Sequence, residues 1–301
     1  MLGLKRADPN RHMKHRSALL PLVIIFAAVG SSYAAELNQQ ALGAWENYVA
    51  SVKAHVQERL TGKSPFLWVD EDPMRRRRLD SGELLISPLG QSHPLSVPHG
   101  LIHHWIGAVS IPGARIQDLT AVVGDYARYG EIYRPALIKA ELLGSSGDER
   151  RFSILWVQKV ILVTVAFYTE LDSNYVALNS RQGYMTFSTA RVQQIEHYGE
   201  KGEQKLGPDE GSGYLWRLVG FARFEQRDGG LYLELEVMAL SRDLPGSLRL
   251  LLEPIIDHLP RQALATKLDQ TRQAIRSRAS QRATALLLPA RTPPVRTGGR
   301  P

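Results

Sequence analysis

Two hydrophobic patterns alternate along the chain, one with the spacing of a helix and one with that of strands. Apolar residues recur every three or four positions from Leu42 to Leu60 and again from Leu248 to Leu259, which predicts an amphipathic helix near each end. Between them, short alternating runs end at Gly, Asp, Asn or Ser, as is typical of strands. The predicted strands cover residues 137–143, 152–157, 161–170, 175–178, 184–198, 214–225 and 231–240.

One further strand and two short helices are predicted ahead of this series. The segment "HHWIGAVSIPG" forms the strand, a helix follows from Ile116, and the second helix ends before Pro135. Consecutive strands with short connections pair as antiparallel hairpins, and the terminal helix is the one large element that can cover a face of the sheet. The order predicts an α+β fold in which a curved antiparallel sheet wraps around a long C-terminal helix.

The C-terminal helix is predicted from Leu244 to about Ser277 and contains Pro254 and Pro260. Each proline lacks a backbone donor, so a kink or a break into segments is expected. Two interpretations stay open, a gate over a cavity and a helix that bends around a curved sheet.

Both ends of the chain differ in composition from the part between them. A basic stretch is followed by roughly 13 apolar residues, fewer than the about 20 that a membrane-spanning helix needs. Ser32 and Ala34 stand at the −3 and −1 positions of a signal-peptidase site, which predicts a signal peptide over residues 1–34, cleaved near Ala34. The protein is then exported to the periplasm or beyond, with no stable transmembrane segment. An uncleaved anchor is the alternative, and Met13 is an alternative start.

The net charge of +7 is concentrated at these ends. Residues 1–34 carry +4, the Pro-rich tail 281–301 carries another +4, and residues 35–280 therefore carry −1. A nucleic-acid-binding face needs a basic patch on the folded part, so no nucleic-acid partner is predicted. The chain has no cysteine, which excludes disulfides and thiolate zinc sites, and no cofactor is implied.

Three segments resemble the START-like superfamily, also called SRPBCC, which includes polyketide cyclases and lipid transport proteins. They are "WIGAVSIPGARIQDLTAVVGDYARYGEIYRPALIKAELLG", "GYLWRLVGFARFEQRDGGLYLELEVMALSR" and "LPGSLRLLLEPIIDHLPRQALATKLDQTRQAI". The chain looks most like uncharacterised exported bacterial members of this superfamily. The resemblance implies the helix-grip fold, with a cavity for an apolar ligand between sheet and C-terminal helix. Some members are cyclases or hydrolases, so the fold leaves catalysis open.

The residue patterns and this resemblance together divide the chain into four predicted parts. They are a signal peptide (1–34), an N-terminal helix with an irregular extension (35–100), a START-like helix-grip domain (101–280), and a disordered basic tail (281–301). The run Arg75 to Arg78 in the extension is interpreted as a solvated loop, with an acidic head group or partner as the alternative.

The turn "RDGG" sets the register of the last two strands. It places Gln226 opposite Leu231 and Arg223 opposite Glu234. One face of this hairpin then has no polar side chain, and it is predicted to face the C-terminal helix. Its members are Trp216, Leu218, Gly220, Ala222, Phe224, Leu231, Leu233, Leu235, Val237 and Ala239. Glu234 and Glu236 point away from the helix, so we interpret them as structural, and Gly220 leaves room for a helix or ligand.

Three hypotheses about function follow from this arrangement. The first is binding or transport of a hydrophobic small molecule or lipid in the cavity. Its predicted lining residues are Trp216, Leu218, Phe224, Leu233, Leu235, Ile255 and Ile256. The second is a cyclase- or hydrolase-like enzyme with polar groups in the same cavity. Its candidate residues are Glu236, Arg223, Arg217 and His104. The third is a filled cavity with a structural or interaction role.

Histidines and tyrosines offer further candidate sites. His103 and His104 are adjacent on a predicted strand and point to opposite faces, so they cannot chelate one metal together, and no metal site is predicted. Tyr126, Tyr129 and Tyr133 form a stripe that suits a pocket entrance and helix packing equally well. No G-x-S-x-G elbow, P-loop, dinucleotide fingerprint or H-E-x-x-H motif is present.

Overall fold

The computed structural model describes residues 35–90, 92–160, 163–243 and 246–287, and within the last helix the side chains from residue 258 to 285. The predicted signal peptide and residues 288–301 lie outside these ranges. The helices are α1 (Gln39–Leu60), α2 (Pro73–Asp80), α3 (Ile116–Val123), α4 (Tyr129–Ile132) and α5 (Gly246–Leu287). The strands are β1 (Ala35–Glu36), β2 (Leu85–Pro88), β3 (Leu95–Val97), β4 (Gly100–Pro112), β5 (Leu137–Ser146), β6 (Glu149–Val160), β7 (Val163–Ala177), β8 (Gln182–Glu196), β9 (Gln204–Lys205), β10 (Glu210–Gly211), β11 (Arg217–Arg227) and β12 (Gly230–Arg242).

One large antiparallel sheet organises the fold. Its strand order is β2-β4-β12-β11-β8-β7-β6-β5, with β3 paired to β4 and β9 paired to β8. The first long strand, β4, lies beside the last, β12, and the strands between them follow as hairpins. Together with the C-terminal helix, this is the helix-grip arrangement that the sequence predicts, so the predicted α+β fold class is confirmed.

Two predicted strands prove to be one. Asp172, Ser173 and Asn174 suggest a turn in the sequence, yet β7 continues through them. The Arg151 guanidinium on β6 binds the Asp172 carboxylate at 2.6 Å, and Ser173 donates to the Arg150 carbonyl oxygen at 3.4 Å. Cross-strand partners therefore satisfy the polar side chains that would otherwise favour a turn.

The register of the last hairpin is the predicted one, with Arg223 opposite Glu234 and Gln226 opposite Leu231. We call the side of the sheet that α5 covers the concave face, and the other side the convex face. Helix α5 packs over β4 and β2 on the concave face. At Gly107 on β4, an added Cβ would lie 2.4 Å from a Leu268 methyl carbon and 2.5 Å from an Ile86 methyl carbon. Only glycine lets the helix come this close.

Helix α5 is continuous from Gly246 to Leu287, through both prolines and beyond the predicted end at Ser277. Leu264, Leu268 and Ile275 are buried against the sheet and α3. Burying each such side chain is worth about 1.5–3 kcal/mol, which together offsets the roughly 3 kcal/mol that a proline costs inside a helix. The Arg282 guanidinium binds the Asp118 carboxylate at 2.8 Å, so the last turns remain attached to α3.

The N-terminal extension covers the convex face. Valines and Trp45 of α1 pack against Phe221, Met238 and Leu240, while Leu67, Val69 and Leu79 pack near Ile106 and Ala108 of β4. The mixed apolar residues on this face are thereby buried, and the extension forms part of the core.

The interpretation of Arg75 to Arg78 as a loop is wrong, because these residues form the middle half of the helix α2. The Asp72 carboxylate accepts the Met74 amide at 2.8 Å and caps the helix. The Arg76 guanidinium contacts the Asp70 carboxylate at 2.8 Å and that of Asp80 at 3.1 Å. Acidic residues of the same segment therefore pair with the arginines and favour the helix.

Candidate functional site

The concave face carries an apolar strip beside α5. The part of α5 whose side chains are described, residues 258–285, lies over β4 and β2. The concave side of β12, β11, β8 and β7 lies next to this part of the helix. Half-buried side chains on these strands form the strip, which we call the concave groove. They are Leu235, Val237, Met185, Phe187 and Tyr175. These positions share one face because their registers align across four strands.

Two aromatic rings lie over glycines in this groove. An added Cβ at Gly220 would come within 2.1 Å of the Phe187 ring, which projects from the neighbouring strand β8. The Phe224 ring occupies the same position over Gly183, 2.6 Å from an added Cβ. The expectation that Gly220 leaves room for a ligand is therefore wrong, since Phe187 occupies that room.

The predicted lining residues divide into three groups. Leu235 faces the groove and is half-buried, and Leu218 faces the same side at the other end, beside Trp156 and Phe167. Phe224 and Leu233 are on the predicted face but are fully buried in the core, together with residues of α3 and α5. The side chains of Ile255 and Ile256 lie outside the described residues.

The prediction that Trp216 lines the cavity is wrong, because Trp216 packs on the convex face with Trp45 and Met238. The ladder of β11 begins only at Arg217 opposite Leu240, so strand alternation does not extend to residue 216. The preceding Gly213 has a φ of 72° and turns the chain before the strand starts.

The four predicted catalytic residues also lie away from the groove. Arg223, Glu236 and His104 meet in one buried cluster on the convex face, under the N-terminal extension. Arg217, on the same face of β11, forms an ion pair with Asp209. The hypothesis that these groups act inside the cavity is therefore wrong, because strand alternation sends them to the opposite side of the sheet.

The buried cluster links the extension to the sheet. The Arg223 guanidinium donates to the Glu236 carboxylate at 2.9 Å and approaches that of Glu234 at 3.4 Å, with Arg223 and Glu234 fully buried. The Glu234 carboxylate also accepts the backbone amides of Trp68 and Val69, each at 2.9 Å. Glu234 therefore binds the start of a 3₁₀ turn, Trp68–Glu71, whose first amides have no acceptor within the turn.

A histidine continues this cluster toward α1. With its proton on Nε2, His104 donates to Glu236 at 3.0 Å and accepts the Tyr48 hydroxyl at Nδ1, at 2.8 Å. His103, its neighbour on β4, faces the concave side and contacts the Ser241 hydroxyl at 3.0 Å. The two histidines thus point to opposite faces, as predicted.

Burial moves the pKa values of these groups in different directions. Burial raises the pKa of Glu234, although Arg223 and the two backbone amides oppose it. Burial also opposes ionisation of Glu236, but His104 and Arg223 outweigh it and hold that pKa at about 2. Burial alone lowers the pKa of His103 to about 4. The convex cluster therefore holds an ionised carboxylate at neutral pH, and the concave face holds an uncharged imidazole.

Lys267 is a concave-side group that the sequence analysis missed. It lies on α5, and its ammonium nitrogen is 3.7 Å from the centre of the Tyr133 ring. Burial lowers its pKa to about 8. The helical spacing of Leu264, Leu268 and Thr271 places residue 267 beside the buried stripe, and this was the available signal. A lysine beside such a stripe is ordinarily expected to reach solvent.

Two clefts flank α5 outside the groove. One, of about 240 Å³, lies between α5 and the α3–α4 region and includes Asp125, Arg128 and Arg278. The other, of about 190 Å³, lies at the β2 edge and includes Ile86 and Arg261. Both are below the roughly 300–1,000 Å³ that is usual for small-molecule sites.

No protein-family model and no curated protein sequence matches the chain. Solved structures share its arrangement at low identity. The protein TTHA0849 from Thermus thermophilus is 13% identical and covers 57% of this chain and 96% of its own, with a TM-score of 0.41. A STAR-related lipid transfer protein from Xanthomonas axonopodis is 15% identical, with coverages of 65% and 99% and a TM-score of 0.38.

The di-domain ARO/CYC StfQ from the steffimycin biosynthetic pathway is also similar. It is 13% identical, and the match covers 61% of this chain and 52% of StfQ, with a TM-score of 0.41. These likenesses concern the arrangement of the elements and leave ligand and activity open. Among the described residues, no helix is long and apolar enough to cross a membrane. The same part of the chain holds no group of three or more metal-binding side chains.

Proposed function

We propose that this protein binds a hydrophobic small molecule or lipid in the concave groove. The observation that carries the proposal is the strip of half-buried apolar side chains beside α5, formed by four adjacent strands. Apolar surface of this kind is a source of affinity for a ligand that removes it from water. The ring of Phe187, packed over Gly220, makes a rigid part of the floor for such a ligand.

Binding is favoured over catalysis by the position of the ionisable groups. On the convex face, the Glu236 carboxylate is already hydrogen-bonded to both Arg223 and His104. A general acid or base must reach the proton that it transfers, and the sheet separates these groups from the groove. Their arrangement supports a structural role, which is to attach the N-terminal extension.

Ligand retention in the natural host tests this proposal. The protein is purified from its own host, examined by native mass spectrometry, and extracted with organic solvent. We expect a co-purified apolar compound. The Leu235→Arg variant places a charge in the groove and should lose the compound while remaining folded.

The matched control is Leu178→Arg, since Leu178 is 39% exposed in the connection between β7 and β8. It should retain the compound. A folded Leu235→Arg protein that retains as much compound as the control would show that the groove is not the binding site.

We also propose that the protein is exported by the predicted signal peptide. The support is the pattern of residues 1–34, with small residues at Ser32 and Ala34. N-terminal sequencing of the protein recovered from its host should begin at Ala35. A mature chain that still contains residues 18–30 would contradict cleavage.

A further inference from the structure

Lys267 projects from the inward side of α5 toward the part of the sheet that the helix does not cover. Its position is defined by Tyr133, which is 5% exposed and packs with Leu137 and Ala140 of β5. The Tyr133 hydroxyl and the Thr271 hydroxyl are 3.2 Å apart, one helical turn from Lys267. The ammonium group therefore lies on the concave side, between the helix and the β5 side of the sheet.

The part of the chain that the structure describes offers this ammonium group no anionic partner. Among the described residues, its nitrogen makes no hydrogen bond or ion pair, and its recorded contact is the Tyr133 ring at 3.7 Å. Other cations that are buried or half-buried do have partners: Arg223 has Glu234 and Glu236, and Arg227 has Asp70 and Glu225. An ammonium group carries three donors, and burying them without an acceptor is unfavourable.

A purely structural role does not need this position. Lys205 also lies over a tyrosine, with its nitrogen 4.5 Å from the centre of the Tyr168 ring, but its side chain is exposed on β9. A cation–π contact therefore forms in this chain without removing the ammonium group from water. What distinguishes Lys267 is its place between α5 and the concave side of the sheet, over a buried tyrosine.

We propose that Lys267 binds the acidic head group, a carboxylate or a phosphate, of the apolar ligand in the concave groove. This inference rests on the proposed function and deepens it, because it states the chemical class of the ligand as an amphiphile with one anionic end. The aromatic ring of Tyr133 holds the ammonium group in place, and the apolar chain of the ligand lies along Leu235 and Val237.

The test compares three amphiphiles with chains of similar length on the full-length, delipidated protein. The fluorescent probe is cis-parinaric acid, which carries a carboxylate. Hexadecyl phosphate and hexadecanol then compete for the probe and report on phosphate and on an uncharged head group. We expect both anionic compounds to bind roughly 10- to 100-fold more tightly than hexadecanol, which is the factor for a hydrogen bond to a charged group.

The variants separate charge from packing. Lys267→Met should bind the anionic compounds only as well as hexadecanol, while its affinity for hexadecanol is unchanged. Lys267→Arg keeps the charge and should keep most of the preference. Lys205→Met, the matched control over Tyr168, should behave as the natural protein does.

Each outcome decides between the two proposals. If the natural protein binds anionic and uncharged compounds equally, or if Lys267→Met keeps the preference, the head-group inference is overturned and the apolar groove stands. If no compound binds to the natural protein, both proposals fail. A preference for hexadecyl phosphate over cis-parinaric acid, or the reverse, supports the inference and identifies the acid.

Discussion

Replacing Arg223 by Met tests the account of the convex face. The change removes the guanidinium that lies between Glu234 and Glu236, at 3.4 and 2.9 Å, and leaves both carboxylates buried. Met keeps the apolar stem of the side chain, so packing changes little. Removing one partner of a fully buried ion pair costs about 3–5 kcal/mol, because the remaining charge is unpaired.

The assay is urea unfolding at pH 7, together with thermal unfolding. A loss of this size should lower Tm by roughly 6–20 °C for a domain of this size. The matched control is Arg151→Met, whose guanidinium binds Asp172 at 2.6 Å but is 54% exposed. An exposed pair contributes less than about 1 kcal/mol, so the control should be nearly neutral.

The pH dependence adds a second readout. The pKa of Glu236 is about 2 in the folded protein, below its usual value. The ionised carboxylate therefore contributes to the free energy of unfolding above roughly pH 4.5, and this contribution is lost as the pH falls toward 2. In Arg223→Met the carboxylates take up protons more readily, and the stability difference between variant and natural protein should narrow below about pH 5. A loss under about 1 kcal/mol at pH 7 would refute the role of Arg223 in the core.

Two further predictions concern the concave face. Burial lowers the pKa of His103 to about 4, so the unfolded chain binds a proton between about pH 6.5 and 4 that the folded chain does not, and stability falls as the pH decreases through this window. His103→Gln should reduce the loss between pH 7 and 5 by about 2 kcal/mol in urea unfolding; equal losses in both proteins would contradict this. Gly107→Ala should cost about 1–3 kcal/mol, because its Cβ meets Leu268 at 2.4 Å, whereas Gly144→Ala, with nothing within 4 Å of the new Cβ, should be tolerated. Equal effects of the two glycine changes would show that α5 can move away from β4.

The last hairpin shows how far local pattern carries a prediction. The turn "RDGG" and strict alternation suffice to pair Arg223 with Glu234 and to assign both to the face away from the helix. What local pattern could not show is that this face is buried. Residues 67–69 approach Glu234 from a distant part of the chain, and nothing in the hairpin encodes that contact.

The concave groove shows the opposite limit. Alternation in "GYMTFST" indicates that Met185 and Phe187 share a face of the sheet. The register of β8 against β11 decides whether that face is the concave or the convex one. That register also places Phe187 over Gly220, which corrects the expectation of free space there. The prediction for Trp216 is wrong for a related reason, since this residue stands just outside the paired ladder.

The sequence by itself determined the order of the elements, the α+β class and the register of the final hairpin, because these depend on periodicity and on turns within a few residues. Tertiary structure alone decided that α2 and the 3₁₀ turn cover the convex face, that α5 runs on to Leu287, and that the Lys267 ammonium group lies over the Tyr133 ring. Each of these depends on contacts between residues far apart in the chain, whose free energies outweigh the local preferences that the sequence displays.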